Sequence, residues 1–124
     1  MILYVCGPMT GLPEFNYPAF FDAEARLAEC GYTVLNPARI DEQHNPEHCI
    51  MGWQWYMRHA IRMMLECDGL ALLGTWERSR GAKLEKQVAS TLEMPCYPVA
   101  GWVEMAKHDV EPSASSLSQA SRDS

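Results

Sequence analysis

The sequence of 124 residues has no Cys-x-x-Cys pair; its five cysteines, Cys6, Cys30, Cys49, Cys67 and Cys96, are scattered and odd in number. That pattern indicates neither a disulfide framework nor a zinc site and suits a reducing compartment, so a cytoplasmic protein is expected. Basic residues are scarce: 10 Lys and Arg face 16 Asp and Glu, a formal charge of −6. With no basic stripe, the charge argues against a nucleic-acid polymer or an anionic membrane as partner, whereas a small anion held by a local patch fits. No basic start precedes an apolar stretch, and no run approaches the roughly 18 apolar residues of a membrane span. The phosphate-binding fingerprints are missing too. No Gly-x-Gly-x-x-Gly occurs, and Gly74 and Gly81 stand too far apart for a P-loop, which argues against a dinucleotide dehydrogenase or an ATPase. Internal repeats are absent. From Glu111 the chain reads EPSASSLSQASRDS, with little to bury, so 111–124 is expected to be a disordered tail on a single domain of residues 1–110.

What is present alternates between strands and helices. Residues 2–6 are strand formers that stop at Gly7-Pro8-Met9-Thr10-Gly11, a binding loop whose glycines admit a ligand close to the backbone. Asn16 is expected to cap a helix with Pro18 in its first turn, Phe20, Phe21, Leu27 and Ala28 on its buried side, and Gly31 at its end. Residues 32–35 read as a second strand broken by Asn36-Pro37, and residues 41–51 as polar and irregular. Trp53, Tyr56, Met57, Ala60, Ile61, Met64 and Leu65 then recur at i, i+3, i+4, i+7, i+8, i+11 and i+12, the pattern of an amphipathic helix.

The stretch GLALLGTWERSRGAKLE at 69–85 organises the rest. Its apolar start, 69–73, has the form of a parallel strand covered on both faces. A polar loop follows, and Ser79 stands where an N-cap would accept an amide hydrogen bond. In the next helix Glu85, Val88, Ala89 and Leu92 share one face, so a carboxylate is aimed inward with apolar residues. Residues 94–99 give a last strand, which Pro98 makes an edge strand, and 102–108 a short closing helix. The sum is an α/β three-layer sandwich with a small, mainly parallel, flavodoxin/Rossmann-like sheet. If its first and third strands are neighbours, the loops at 7–11 and 74–81 meet over Glu85 at the topological switch point.

Each candidate has a plainer reading beside it. Glu85 is either a surface or salt-bridged helix residue or an inward functional carboxylate. Trp76 is either packing or a flat platform for a nucleobase. Arg78 and Arg80 are solvated charges or, beside a helix N-terminus, phosphate ligands. Tyr4 packs in the core or reaches the carboxylate. His44, Glu47, His48 and Cys49 carry ligand-type atoms but lack metal-site spacing and include Pro46, so a solvated loop and no metal are expected.

LYVCGPMTG at 3–11, the helix ending in Cys67-Asp68 and SRGAKLE at 79–85 together resemble the nucleoside 2-deoxyribosyltransferase superfamily over nearly all of residues 2–100. Within it the chain looks closest to the 2′-deoxynucleoside 5′-phosphate N-hydrolases and to an uncharacterised branch common in bacteriophages. The resemblance implies that Glu85, four residues after Gly81, attacks or assists attack on the anomeric carbon, and that Tyr4 orients it. It implies that Ser79 helps hold a 5′-phosphate, that Gly81 allows close approach, and that Gly7 and Gly11 are the first-loop glycines. Trp76 and Arg80 complete the expected substrate-binding set. The implied ligand is a nucleotide or nucleoside, the chemistry requires no cofactor, and a homodimer is one expected assembly.

One position departs from that pattern. The superfamily usually has an aspartate eight residues before the strand-leading Asp, contacting the sugar, and here that position is Ala60. No dedicated acid for the leaving base is evident, with Asp68 and His59 as the candidates considered. The expected activity is therefore N-glycosidic cleavage of a 2′-deoxynucleoside 5′-monophosphate, or the related base exchange. The alternative is a nucleotide-binding or sequestering module without turnover, and a purely structural role is a third reading. Ala60→Asp is expected to raise activity if that helix face meets the sugar.

Overall fold

Successive strand residues point to opposite faces of a sheet, and the first strand uses both. In β1 (Ile2–Cys6), Leu3 and Val5 join one apolar cluster while Tyr4 and Cys6 join another, and all four are buried. The computed structural model describes residues 1–9, 16–39 and 52–110. Gly11, the 41–51 segment with its His44–Cys49 cluster, and the 111–124 tail lie outside the described residues.

After β1 come α1 (Tyr17–Glu29), β2 (Thr33–Leu35), α2 (Trp53–Leu65), β3 (Gly69–Leu72), a 3-10 turn (Trp76–Arg78), α3 (Arg80–Thr91), β4 (Cys96–Pro98) and α4 (Val99–Val110). The four strands form an all-parallel sheet in the order β2-β1-β3-β4. Phe20, Ala23 and Leu27 of α1 and Val99 and Trp102 of α4 cover the Leu3/Val5/Ala71 face. Ala60 and Met64 of α2 and Ala82 and Ala89 of α3 cover the Tyr4/Cys6/Leu70/Leu72 face. Helices on both sides of a parallel sheet give the flavodoxin/Rossmann-like α/β sandwich read from the alternation of elements. Each fully buried large side chain, such as Phe20 or Leu27, contributes roughly 1.5–3 kcal/mol of burial.

Some details differ from the sequence reading. Asn16 does not cap α1 with its side chain; its backbone is left-handed (φ 61°), and its Nδ2 donates to the Pro8 carbonyl at 3.0 Å, tethering the loop after β1. Ala28 faces solvent and Ala23 takes its place inside. Leu65 and Leu92 are exposed, because one ends α2 and the other lies just past α3, where the helical stripe no longer meets the sheet. The closing helix is longer than 102–108 and starts directly after Pro98, a residue that tolerates a helix start. Its Trp102 donates from Nε1 to the Leu70 carbonyl at 2.7 Å, pinning α4 to β3. Pro98 lies on the edge strand β4, where a missing N–H costs no ladder bond. No described helix is long and apolar enough to cross a membrane.

Candidate functional site

β1 and β3 pair in register from Leu3 with Gly69 to Cys6 with Leu72, so both chains leave the sheet at the same edge. This is the point where the strand order reverses, the place where open parallel sheets leave a crevice. Gly7 follows β1 there. A Cβ on Gly7 would sit 2.7 Å from Leu73 Cδ1 and 2.8 Å from Leu73 Cβ, so glycine lets the two exits pack together. The crossing from β3 to α3 passes through Thr75 in left-handed backbone (φ 67°), a conformation β-branched residues rarely adopt. It ends at Ser79, whose Oγ accepts from Ala82 N at 3.1 Å and so caps α3, a contribution of about 1 kcal/mol.

One turn into α3, Glu85 is 5 % exposed, and the Tyr4 hydroxyl donates to its Oε2 at 2.5 Å. The pair joins the middle of β1 to α3 across 81 positions of sequence. A cavity of about 530 Å³ opens from it. Gly7, Pro8 and Met9 line it from the loop after β1, Trp53, Tyr56 and Met57 from α2, and Thr75, Arg78, Ser79, Arg80 and Gly81 from the loop and start of α3. Phe20 and Pro37 complete the wall. The Tyr56 hydroxyl reaches Met9 Sδ at 3.6 Å, linking α2 to that loop. Gly81 gives α2 and α3 their close approach, because a Cβ there would meet Met57 Sδ at 3.0 Å.

Burial governs the electrostatics. Desolvation raises the Glu85 carboxyl from 4.5 to about 7, against the opposing effect of the Tyr4 and Cys6 side chains, which favour its charged form. Burial also pushes the Tyr4 phenol well above its ordinary value, with the Glu85 charge adding to it, so Tyr4 stays a donor. Burial likewise raises the Cys6 thiol, whose Sγ lies 3.5 Å from the Ala82 carbonyl. A carboxylate poised near neutrality can act as a nucleophile or a base, and a neutral phenol beside it can only orient it and supply a hydrogen bond. At the rim, Arg80 stacks on Trp53 with Cζ 3.8 Å from the ring centroid, a contact worth about 0.5–1 kcal/mol at an exposed site.

Of the residues singled out from sequence, Tyr4, Gly7, Ser79, Arg80, Gly81 and Glu85 line this one cavity, with Arg78 beside them. Trp76 does not line it; it lies half-buried against the Tyr4/Leu70 cluster, with Lys86 Nζ 5.7 Å from its ring centroid. The indole in the cavity is Trp53, which the sequence reading treated only as part of an apolar stripe. Ala60 is fully buried with Met64 and Tyr4 and is not among the lining residues. Asp68 lies at the opposite, amino edge of the sheet, accepting the Ile2 N–H at 2.7 Å, and His59 packs on Trp55; neither lines the cavity. Among the described residues, no group of three or more His, Cys, Asp or Glu could hold a metal ion.

The model of one protein family, described as a domain of unknown function (DUF4406), matches residues 1–97. The chain belongs to that family. The matched span of this DUF4406 domain contains every residue that lines the cavity and stops within β4, leaving α4 beyond it. No curated protein and no solved structure matches the chain.

Proposed function

We propose that this DUF4406 protein is an N-glycosidase that cleaves the bond between base and sugar in 2′-deoxynucleoside 5′-monophosphates, with Glu85 as nucleophile. The observation that carries the reading is the buried Tyr4–Glu85 pair at the floor of the cavity. It fits the resemblance of the 3–11 and 79–85 stretches to the nucleoside 2-deoxyribosyltransferase superfamily, where a tyrosine and a glutamate stand at these positions. The cavity, at about 530 Å³, falls in the range that holds small ligands. Ser79, Arg78, Arg80 and the α3 N-terminus offer a phosphate neutral and charged donors on one rim.

In this mechanism ionised Glu85 attacks C1′ while Tyr4 holds one of its oxygens. The C1′–N bond breaks, its electron pair leaves on the base, and the base takes a proton from water. A second water attacks C1′, releases deoxyribose 5-phosphate and frees Glu85. Glu85 is the only carboxylate among the described residues that line the cavity, and water is therefore written as the proton source for the departing base. A free base as acceptor in place of water makes the same chemistry a base exchange.

A second reading, a nucleotide-binding module without turnover, is favoured by Ala60, which puts an apolar, fully buried side chain where the superfamily usually has an aspartate. Incubation with a panel of deoxynucleoside monophosphates tests both. The glycosidase releases free base, Glu85→Gln abolishes release, and a second added base distinguishes exchange from hydrolysis. Tight calorimetric binding with no release over long incubation assigns the binding module instead.

A further inference from the structure

Arg80 opens α3 and Trp53 opens α2, and at the rim of the cavity, which both residues line, the guanidinium Cζ lies 3.8 Å over the indole ring centroid. Among the described residues no carboxylate forms an ion pair with Arg80. Its charge is therefore held by an aromatic face, which binds a guanidinium more weakly than a phosphate with charge-assisted hydrogen bonds does. Trp53 in turn is the only tryptophan among the described residues of the cavity wall, and it continues into the apolar side chains Tyr56 and Met57. A planar face there suits a planar ring, because every nucleobase can stack on it. The guanidinium covers one face of that ring.

Resting on the deoxynucleotide reading of the cavity, we propose that Trp53 is the stacking platform for the substrate's base, and that Arg80 masks it until a phosphate draws the guanidinium away. Phosphate and base then bind cooperatively although they touch different residues. A ligand without phosphate must displace Arg80 unaided, whereas one carrying phosphate supplies the guanidinium with a better partner. Coupling of this kind is reciprocal, so the base must also tighten phosphate. Selection for nucleotides over nucleosides is thus built partly into an aromatic residue that need not touch the phosphate.

The test uses the full-length Glu85→Gln protein, in which no substrate is consumed. The four 2′-deoxynucleosides are titrated calorimetrically with and without saturating inorganic phosphate. Phosphate is expected to tighten the best-bound nucleoside about tenfold. Arg80→Ala should bind that nucleoside, without phosphate, as tightly as its parent does with it, and should lose the phosphate effect. Trp53→Leu should weaken the nucleoside about tenfold and Trp53→Phe by less, since a smaller ring remains. Independent binding of phosphate and nucleoside, no nucleoside binding at all, or weaker nucleoside binding in Arg80→Ala overturns the proposal. If base release from monophosphates by the unaltered protein accompanies any of these, the glycosidase reading stands without the platform. Cooperative binding with no release from the unaltered protein keeps the platform and removes the glycosidase.

Discussion

Replacing Glu85 with Gln should stabilise the protein at neutral and alkaline pH, although it removes the proposed nucleophile. The carboxyl is raised from 4.5 to about 7 by burial, so between those values the folded state holds a proton that the unfolded chain has lost. Stability from this group is therefore greatest below pH 4.5 and falls as pH rises through 7, where the folded state must carry a buried charge. The full penalty is about 3 kcal/mol, and about 2–3 kcal/mol of it develops between pH 5 and pH 8. Glutamine keeps the shape and an oxygen to accept the Tyr4 hydroxyl, but never ionises. Urea denaturation of both proteins at pH 5, 6, 7 and 8 isolates the effect, because the other titrating groups are shared and cancel in the difference. The advantage of Glu85→Gln should grow by about 2–3 kcal/mol across that range. A difference that stays constant with pH, or a variant whose relative stability falls toward pH 8, would refute a carboxyl raised by burial.

Other substitutions test neighbouring parts of the argument. Tyr4→Phe keeps the buried ring and removes the donor, so Glu85 should ionise at still higher pH and base release at pH 7 should fall tenfold or more, measured as a rate profile against pH. Ser79→Ala removes the α3 cap and should cost about 1 kcal/mol in denaturation, and in calorimetry it should weaken the binding of monophosphates more than that of nucleosides. Ala60→Asp should now destabilise by about 1–3 kcal/mol or more without raising turnover, because position 60 is in the core and not on the cavity. A faster, normally stable variant would contradict that placement.

Much of this architecture was legible because alternation and helical spacing report which side of an element is apolar. The inward turn of Glu85 followed from its spacing to Val88 and Ala89, and the cap from a serine placed before a helical stretch. Spacing does not say what lies opposite a face. The α2 stripe is divided: Ala60 and Met64 pack on the sheet, while Trp53, Tyr56 and Met57, nearer its start, border the cavity. Trp76, expected in the substrate-binding set, takes instead its plainer role in packing, and Trp53, at the start of the α2 stripe, supplies the indole of the cavity wall. Glycines posed the same difficulty. Gly7 and Gly81 signalled close approach, but the atoms that approach are Leu73 and Met57 of the protein itself. Asn16 has the right chemistry for a cap, yet a tertiary hydrogen bond to Pro8 takes its side chain.

The central claim is that Glu85 performs the bond cleavage in its ionised form. Its most direct test is kcat/KM for base release from a 2′-deoxynucleoside 5′-monophosphate, followed from pH 5 to pH 9 in the unaltered protein and in Glu85→Gln. The account predicts a rate that rises with an apparent pKa near 7 and a variant that releases no base at any pH. Full activity in Glu85→Gln, or a rate already at its plateau by pH 5, would contradict it.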